Sequence, residues 1–190
     1  MLQSLNKIIV ITAPSGAGKT SIVHYLLNKY KNLSFSISAA TRPARANEKN
    51  GVDYYFMSVD AFQEKIRAHA FIEWEMVYEG KYYGTLKADI ERIWNEGKTP
   101  VLDIDVKGAI HVQKQFPHQS LSIFINPPSI DELRKRLSGR GTETSESLET
   151  RLSKASYEIS LKQSFDKIIV NDNLEKACQE TETAIFDFLK

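Results

Sequence analysis

The segment Ala13-Pro14-Ser15-Gly16-Ala17-Gly18-Lys19-Thr20, continued by Ser21, has residue types and spacing that suit phosphate chemistry. It follows G-x-x-x-x-G-K-[ST], with Ala13 in the place of the first glycine. Gly16 and Gly18 let the main chain curl so that its N–H groups point at phosphate oxygens. A helix beginning at this point adds partial positive charge. Lys19 then reaches the outer phosphates of a nucleoside triphosphate, and the Thr20 hydroxyl is a ligand for Mg²⁺. Alanine at position 13 matters only if that position needs a positive φ. The loop specifies a triphosphate but not a reaction.

A second acidic motif lies at Val101-Leu102-Asp103-Ile104-Asp105. An acid at the end of such an apolar run commonly holds magnesium through water in proteins with this loop. Strand alternation sends Asp103 and Asp105 to one side and Ile104 to the other. The plainer alternative is one helix-capping aspartate and one solvated one. The sequence does not say which of the two serves the metal.

Certain elements must position these groups. Ile8–Thr12 is a continuous apolar run, the pattern of a strand buried on both faces of a parallel sheet. Residues 21–29 carry Ile22, Val23, Leu26 and Leu27 at helical spacing, so the loop joins a strand to a helix. Residues 100–104, 121–125 and Lys167–Val170 read as further buried strands, each followed by a helical pattern. Ser129 with Glu132 has capping-box spacing, and Asp172 is placed to cap a last helix over Leu174–Leu189. Strands alternating with helices predict an α/β fold with a parallel sheet. Residues 34–87 differ: 54–56 and 72–78 read as short aromatic strands around a helix over 59–69, a smaller and partly antiparallel lobe. Residues 138–147 are polar, with glycine, serine and threonine, and read as a mobile lid.

Composition narrows the class. Lys plus Arg is 25 against 24 for Asp plus Glu, a balance unlike that of a protein coating nucleic acid. No apolar run approaches the roughly 18 residues that span a bilayer, and no secretory leader pattern opens the chain, so a cytoplasmic protein is expected. Cys178 is alone, which forbids an internal disulfide. His24, His69, His111 and His118 lack metal-ligand spacing. The oligomeric state is left open.

Further motifs extend the pattern. Ser36-Ile37-Ser38 leads into Thr41-Arg42, Arg45, Glu48, Asn50-Gly51 and Asp53-Tyr54. Phe71-Ile72-Glu73-Trp74 and Tyr82-Tyr83-Gly84-Thr85 follow, then the acidic strand end, Pro127-Pro128-Ser129, Leu137-Ser138-Gly139-Arg140-Gly141-Thr142 and Ile169-Val170-Asn171-Asp172. In this order and spacing the set resembles the guanylate kinases over nearly the whole chain. The departures are Ala13, Ala40 where a hydroxyl is common, and Asn47 where a glycine is common. The resemblance implies a P-loop NTPase-type three-layer fold, with a core over 1–33 and 88–190, a mixed α+β GMP-binding lobe over 34–87, and a lid over 138–147. It implies transfer of the γ-phosphate of ATP to GMP with Mg²⁺. ATP would be held by the loop from Ala13 to Ser21 and by Asn171, and the metal by Thr20 and Asp103. GMP would be held by Ser38, Arg42, Arg45, Glu48, Tyr54, Glu73, Tyr83, Thr85, Asp103 and Asp105. Lys19, Arg42, Arg136, Arg140 and Arg151 would stabilise the transferring phosphoryl group. The partners are then the two nucleotides, dGMP among the possible acceptors, with neither nucleic acid nor membrane.

The residue types suit that chemistry. Arg42 and Arg45 offer planar forks that match phosphate oxygens. Guanine presents donors at N1 and N2 where adenine presents an acceptor at N1, so a buried carboxylate discriminates between them; Glu73, among apolar neighbours, is the candidate. Two other readings use the same residues: a different small-molecule kinase, or a non-catalytic module with this fold. Retention of Lys19, Thr20 and Asp103 weighs against the module, and the segment from Arg42 to Tyr54 together with Glu73 against the other kinase.

Overall fold

The computed structural model describes residues 6–139 and 145–190. In chain order the first elements are β1 (Ile8–Thr12), α1 (Lys19–Lys29), β2 (Leu33–Phe35), β3 (Ala39–Ala40), β4 (Tyr55–Phe56), α2 (Val59–Arg67), β5 (Phe71–Tyr78) and β6 (Lys81–Leu86). They are followed by α3 (Lys87–Asn95), β7 (Thr99–Asp103), α4 (Val106–Gln115), β8 (Ser120–Asn126), α5 (Ile130–Ser138), α6 (Ser145–Ser160), β9 (Lys167–Val170) and α7 (Leu174–Leu189).

Five of the strands form a parallel sheet in the order β2-β7-β1-β8-β9. The centre is the most apolar run: every residue of β1 is buried. Alternation divides its side chains between two layers. Ile9 and Ile11 pack with Ile22, Val23 and Leu26 of α1 and with Ala177 and Ile185 of α7. Ile8 and Val10 pack on the other face with Ile90 of α3 and with Val106, Ala109 and Val112 of α4. These are the helix–sheet–helix layers expected from the alternation of strand and helix.

The second sheet has the order β4-β3-β6-β5, with β3 and β4 parallel and the other pairs antiparallel. Its own core is aromatic: Phe62 of α2 is fully buried and stacks on Phe71, with ring centroids 4.3 Å apart. The sheet starts at Ala39, so Ser34 and Phe35, assigned to the lobe from sequence, belong to the edge strand of the first sheet.

Two local expectations need correction. The cap of α7 is Asn173, whose side chain accepts from Lys176 N, and not Asp172. β9 is an edge strand, not a doubly buried one: Ile169 points into the core while Ile168 and Val170 are exposed. Ser129 caps α5 as its spacing predicts, accepting from Glu132 N at 3.0 Å.

Candidate active site

The phosphate loop lies at the carboxyl end of β1, between the ends of β7 and β8; ligands of open α/β sheets bind at that edge. Gly16 and Gly18 have φ of 89° and 95°, values that L side chains rarely adopt. Ala13 has no such backbone, so the first position of the motif does not need glycine here. The loop is clamped from behind. Asn171, which follows β9 and is 4% exposed, donates its side-chain amide to Ala17 O at 2.7 Å. A Cβ on Gly18 would stand 2.2 Å from that amide nitrogen. On the other flank, a Cβ on Gly16 would meet Leu137 and Leu133 of α5 at 2.9 and 3.0 Å. The loop is therefore held open by packing as well as by its own turn.

Lys19 starts α1. Its ammonium pairs with Asp103, the last residue of β7, and donates to Ile104 O at 3.1 Å. Thr20 and Ser21 are exposed beside it in the first turn. Asp103 and Asp105 both border the same cleft, but they do different things. Asp105 caps α4, accepting from Gly108 N at 2.8 Å. The sequence leaves these roles open; the structure gives the lysine partner to Asp103 and the helix cap to Asp105.

Glu73 approaches this helix end from β5. It is 5% exposed, and a Cβ at Gly108 would lie 2.6 Å from one of its oxygens. Glycine at 108 therefore makes room for the carboxylate. Thr85 of β6 donates to the other oxygen at 2.6 Å. Burial, with Asp105 adding like charge, pushes Glu73 up to about 7. A carboxylate held this way needs a donor-bearing ligand to stabilise its charged form.

Arg42 forms a third cluster. Its fork grips Glu48 with hydrogen bonds of 2.6 and 2.7 Å. Its Nε donates to the Tyr83 hydroxyl at 3.2 Å, and the guanidinium lies 4.9 Å from the Tyr54 ring centroid. The arginine holds Glu48 down at about 2. Arg45 is exposed, and its backbone N–H donates to Glu48 at 2.8 Å.

A cleft of about 440 Å³ joins the phosphate loop and the two aspartates to Glu73, Tyr54 and Tyr83; Arg42, Arg45, Glu48 and Thr85 do not line it, and Glu48 borders a neighbouring cavity with Ser38, Tyr54 and Asp103. Ala13, Pro14, Ser15, Gly16, Gly18, Lys19, Thr20 and Ser21 border it on the core side; Ser38, Tyr54, Glu73 and Tyr83 border it on the other. Arg151 of α6 also reaches it, whereas Arg136 on α5 pairs with Glu132 of its own helix at 3.1 Å. Arg140 lies outside the described residues, as do 141–144; of the rest of the lid expected over 138–147, Ser138 ends α5 and 145–147 open α6. Lys154 and Glu158 line the cleft too and are not among the residues singled out by sequence. Arg151, Lys154 and Glu158 follow i, i+3, i+7 spacing, which puts them on one helix face and is the signal that would find them. Glu158 is 7% exposed, and burial raises its pKa against the pull of Lys154, 3.7 Å away.

Comparison with known proteins agrees with this geometry. The model of the guanylate kinase family matches residues 5–188. The chain is 49% identical to a guanylate kinase of Bacteroides fragilis over 183 residues, which covers 96% of this chain and 90% of that protein. It is 47% identical to a guanylate kinase of Salinibacter ruber over 182 residues, with 96% of each chain covered. The crystal structure of guanylate kinase from Anaplasma phagocytophilum superposes with a TM-score of 0.77 at 31% identity, covering 97% of this chain and 86% of that one. A match along almost the full length, with the phosphate loop and the buried carboxylate in one cleft, leaves a single assignment: the chain belongs to the guanylate kinase family.

Proposed function

We propose that the chain transfers the γ-phosphate of ATP to GMP, giving ADP and GDP, in the cleft between the core and the lobe that runs from Ala39 to Leu86. The observation that carries this reading is the pairing of a phosphate loop with the buried carboxylate of Glu73 across one cavity. Guanine N1–H and N2–H donate to Glu73, while the Thr85 hydroxyl fixes the carboxylate's orientation. Adenine would set its N1 lone pair against the ionised carboxylate and leave a buried acceptor unpaired.

The GMP phosphate meets Arg42, which Glu48, Tyr83 and Tyr54 already hold extended, so little side-chain freedom is lost on binding. Arg45 is the exposed second fork of this end. At the other end the loop amides and Lys19 hold the ATP phosphates. Lys19 exchanges its Asp103 carboxylate for phosphate oxygens, and Asp103 is released as an oxygen ligand beside the Thr20 hydroxyl. The Thr20 hydroxyl and the Asp103 carboxylate are oxygen donors of the kind magnesium takes, and they would hold it. When bound, Mg²⁺ neutralises charge on the transferring phosphates.

The acceptor oxygen is already ionised, so no general base is needed. The reaction depends on alignment and on positive charge around the equatorial oxygens. Lys19 and Arg151 supply that charge, with Arg136 and Arg140 as the further arginines in this role. Asn171 serves by bracing the loop that receives ATP. The partners in this reading are the two nucleotides, and the setting is the cytoplasm.

The test is a coupled assay for ADP release with ATP and Mg²⁺, offering GMP, AMP, CMP, UMP or no acceptor. ADP formed with GMP alone among these supports the reading. Turnover with another acceptor assigns a different kinase, and folded protein without turnover assigns a binding module.

A further inference from the structure

Asp89 lies in the first turn of α3, directly after the last strand of the lobe, and is 4% exposed. An acid there ordinarily faces solvent or its own helix end, where the dipole favours it. This one is turned inward onto both chain crossings between core and lobe. Its Oδ2 accepts from Ser36 Oγ at 3.2 Å and from Ile37 N at 2.9 Å, where the chain leaves the core. Its Oδ1 accepts from the Tyr55 hydroxyl at 3.0 Å and from Arg92 Nη2 and Nε at 2.9 and 3.2 Å.

These contacts close a ring around Ser38. Ser36 N is fixed to the core by Val101 O at 3.0 Å. Ile37, held by Asp89, precedes Ser38; the carbonyl of Ser38 accepts from Tyr55 N at 2.9 Å, and the hydroxyl of Tyr55 returns to Asp89. Tyr54, next to Tyr55, borders the same cleft as Ser38, with its ring centroid 4.9 Å from the Arg42 guanidinium. Burial, and the Asp89 carboxylate after it, raises the Tyr55 phenol pKa, so this residue stays a donor.

We propose that Asp89 is a positioning residue for the acceptor nucleotide: its carboxylate pins both crossings and Tyr55 together and so sets Ser38 and Tyr54 at the spacing the acceptor requires. The proposal rests on the reading of Ser38 and Tyr54 as acceptor contacts. It concerns a residue that touches neither nucleotide. A carboxylate is needed because donors approach both of its oxygens. Asparagine keeps the shape but must direct an NH₂ at either Ile37 N–H or Arg92, where two donors then face each other.

The experiment is steady-state kinetics of Asp89→Asn, Tyr55→Phe and the double variant, each nucleotide varied in turn, with thermal melts alongside. The KM for GMP is expected to rise about tenfold in Asp89→Asn and about threefold in Tyr55→Phe, with kcat held, the pattern of lost binding and not lost chemistry. The KM for ATP stays within about twofold, and the double variant is no worse than Asp89→Asn, because both changes sever one contact. Tyr55→Phe removes a single oxygen and carries the test if Asp89→Asn does not fold. An unmoved KM for GMP in Tyr55→Phe, or KM values for both nucleotides rising in step with the loss of melting temperature, overturns the proposal. Ser38→Ala is measured in parallel: if it leaves the KM for GMP intact, the acceptor-site reading falls, and the proposal falls with it for that separate reason.

Discussion

The two ends of the cleft solve one problem in opposite ways. The phosphate loop is a continuous segment whose work is done by main-chain N–H groups, with two positive-φ glycines setting the curve and Asn171 and α5 bracing it from outside. The acceptor end, as proposed, is assembled from side chains: Ser38, Arg42, Glu48, Tyr54, Glu73, Tyr83 and Thr85 come from separated parts of the chain. Triphosphate groups are alike in every nucleotide, and a backbone cradle reads them without reading a base. A base is read by placing a few polar groups in a dry site, and such groups must be drawn from several strands. Both ends already hold their cation on a carboxylate, Lys19 on Asp103 and Arg42 on Glu48. In the proposed reaction incoming phosphate therefore displaces an existing partner and does not have to order a free side chain.

The contrast is broken most severely at Lys19. Lys19→Ala is expected to lower kcat about 10³-fold, the scale of losing a main transition-state charge, with the melting temperature unchanged. A change in KM for GMP alone would move the lysine to the wrong end of the cleft. Gly18→Ala tests the backbone character of the loop. It meets both φ of 95° and the Asn171 amide. Strain of roughly 2 kcal/mol should raise the KM for ATP about 30-fold. The KM for GMP should hardly move; equal loss for both nucleotides would mean that the two ends are not independent.

The acceptor end is sharpened by pH. With Glu73 at about 7 in the folded protein, its ionised fraction rises steeply between pH 6 and 8. GMP affinity should gain about tenfold over that interval through this group. Discrimination against AMP should grow in parallel, because a neutral Glu73 can donate to adenine N1. Glu73→Gln should flatten that part of the profile, and titration calorimetry at several pH values checks it. The sign for stability is opposite. Folding raises this pKa from 4.5, so the nucleotide-free protein loses stability as pH climbs from about 4.5 to about 7. In Glu73→Gln that slope should disappear from melts taken across the same range. The smallest effect is expected at Ser129→Ala. Loss of the α5 cap should cost about 1 kcal/mol in denaturant melts. It should affect ATP more than GMP, because Leu133 and Leu137 of that helix stand against Gly16.

The same contrast governs what the amino-acid sequence makes legible. The loop is legible because its residues are adjacent and their flanks are a buried strand and a helix. The central strands and Ser129's cap are legible for similarly local reasons. β6 is harder: Gly84 argues against a strand on propensity, yet a Cβ there would meet Glu73 O at 2.8 Å, so close approach of two strands demands it. Asp89 belongs to no motif in the sequence, and spacing alone does not find Asn171. Their partners, at Ser36, Ile37 and Tyr55 for one and Ala17 for the other, are distant in sequence and carry no local signal. The buried carboxylate of Glu73 is legible through a family resemblance and its apolar neighbours. Gly108, which makes space for it, reads in sequence as a position that permits close packing or close ligand approach, but the group that approaches is not legible, because its oxygen comes from a different sheet.

The meeting of Ser36 and Asp89 at 3.2 Å has a topological consequence. The chain leaves the core and returns to it at one point, so everything between is an insertion with its ends already together. Such a cassette can be lengthened, shortened or exchanged without rethreading the parallel sheet, because closing its ends adds almost no loop entropy to the core. On the proposed function, the part of the molecule that names the acceptor is thereby separable from the part that handles the triphosphate, and a core of this kind could change its acceptor by changing what hangs from a single junction.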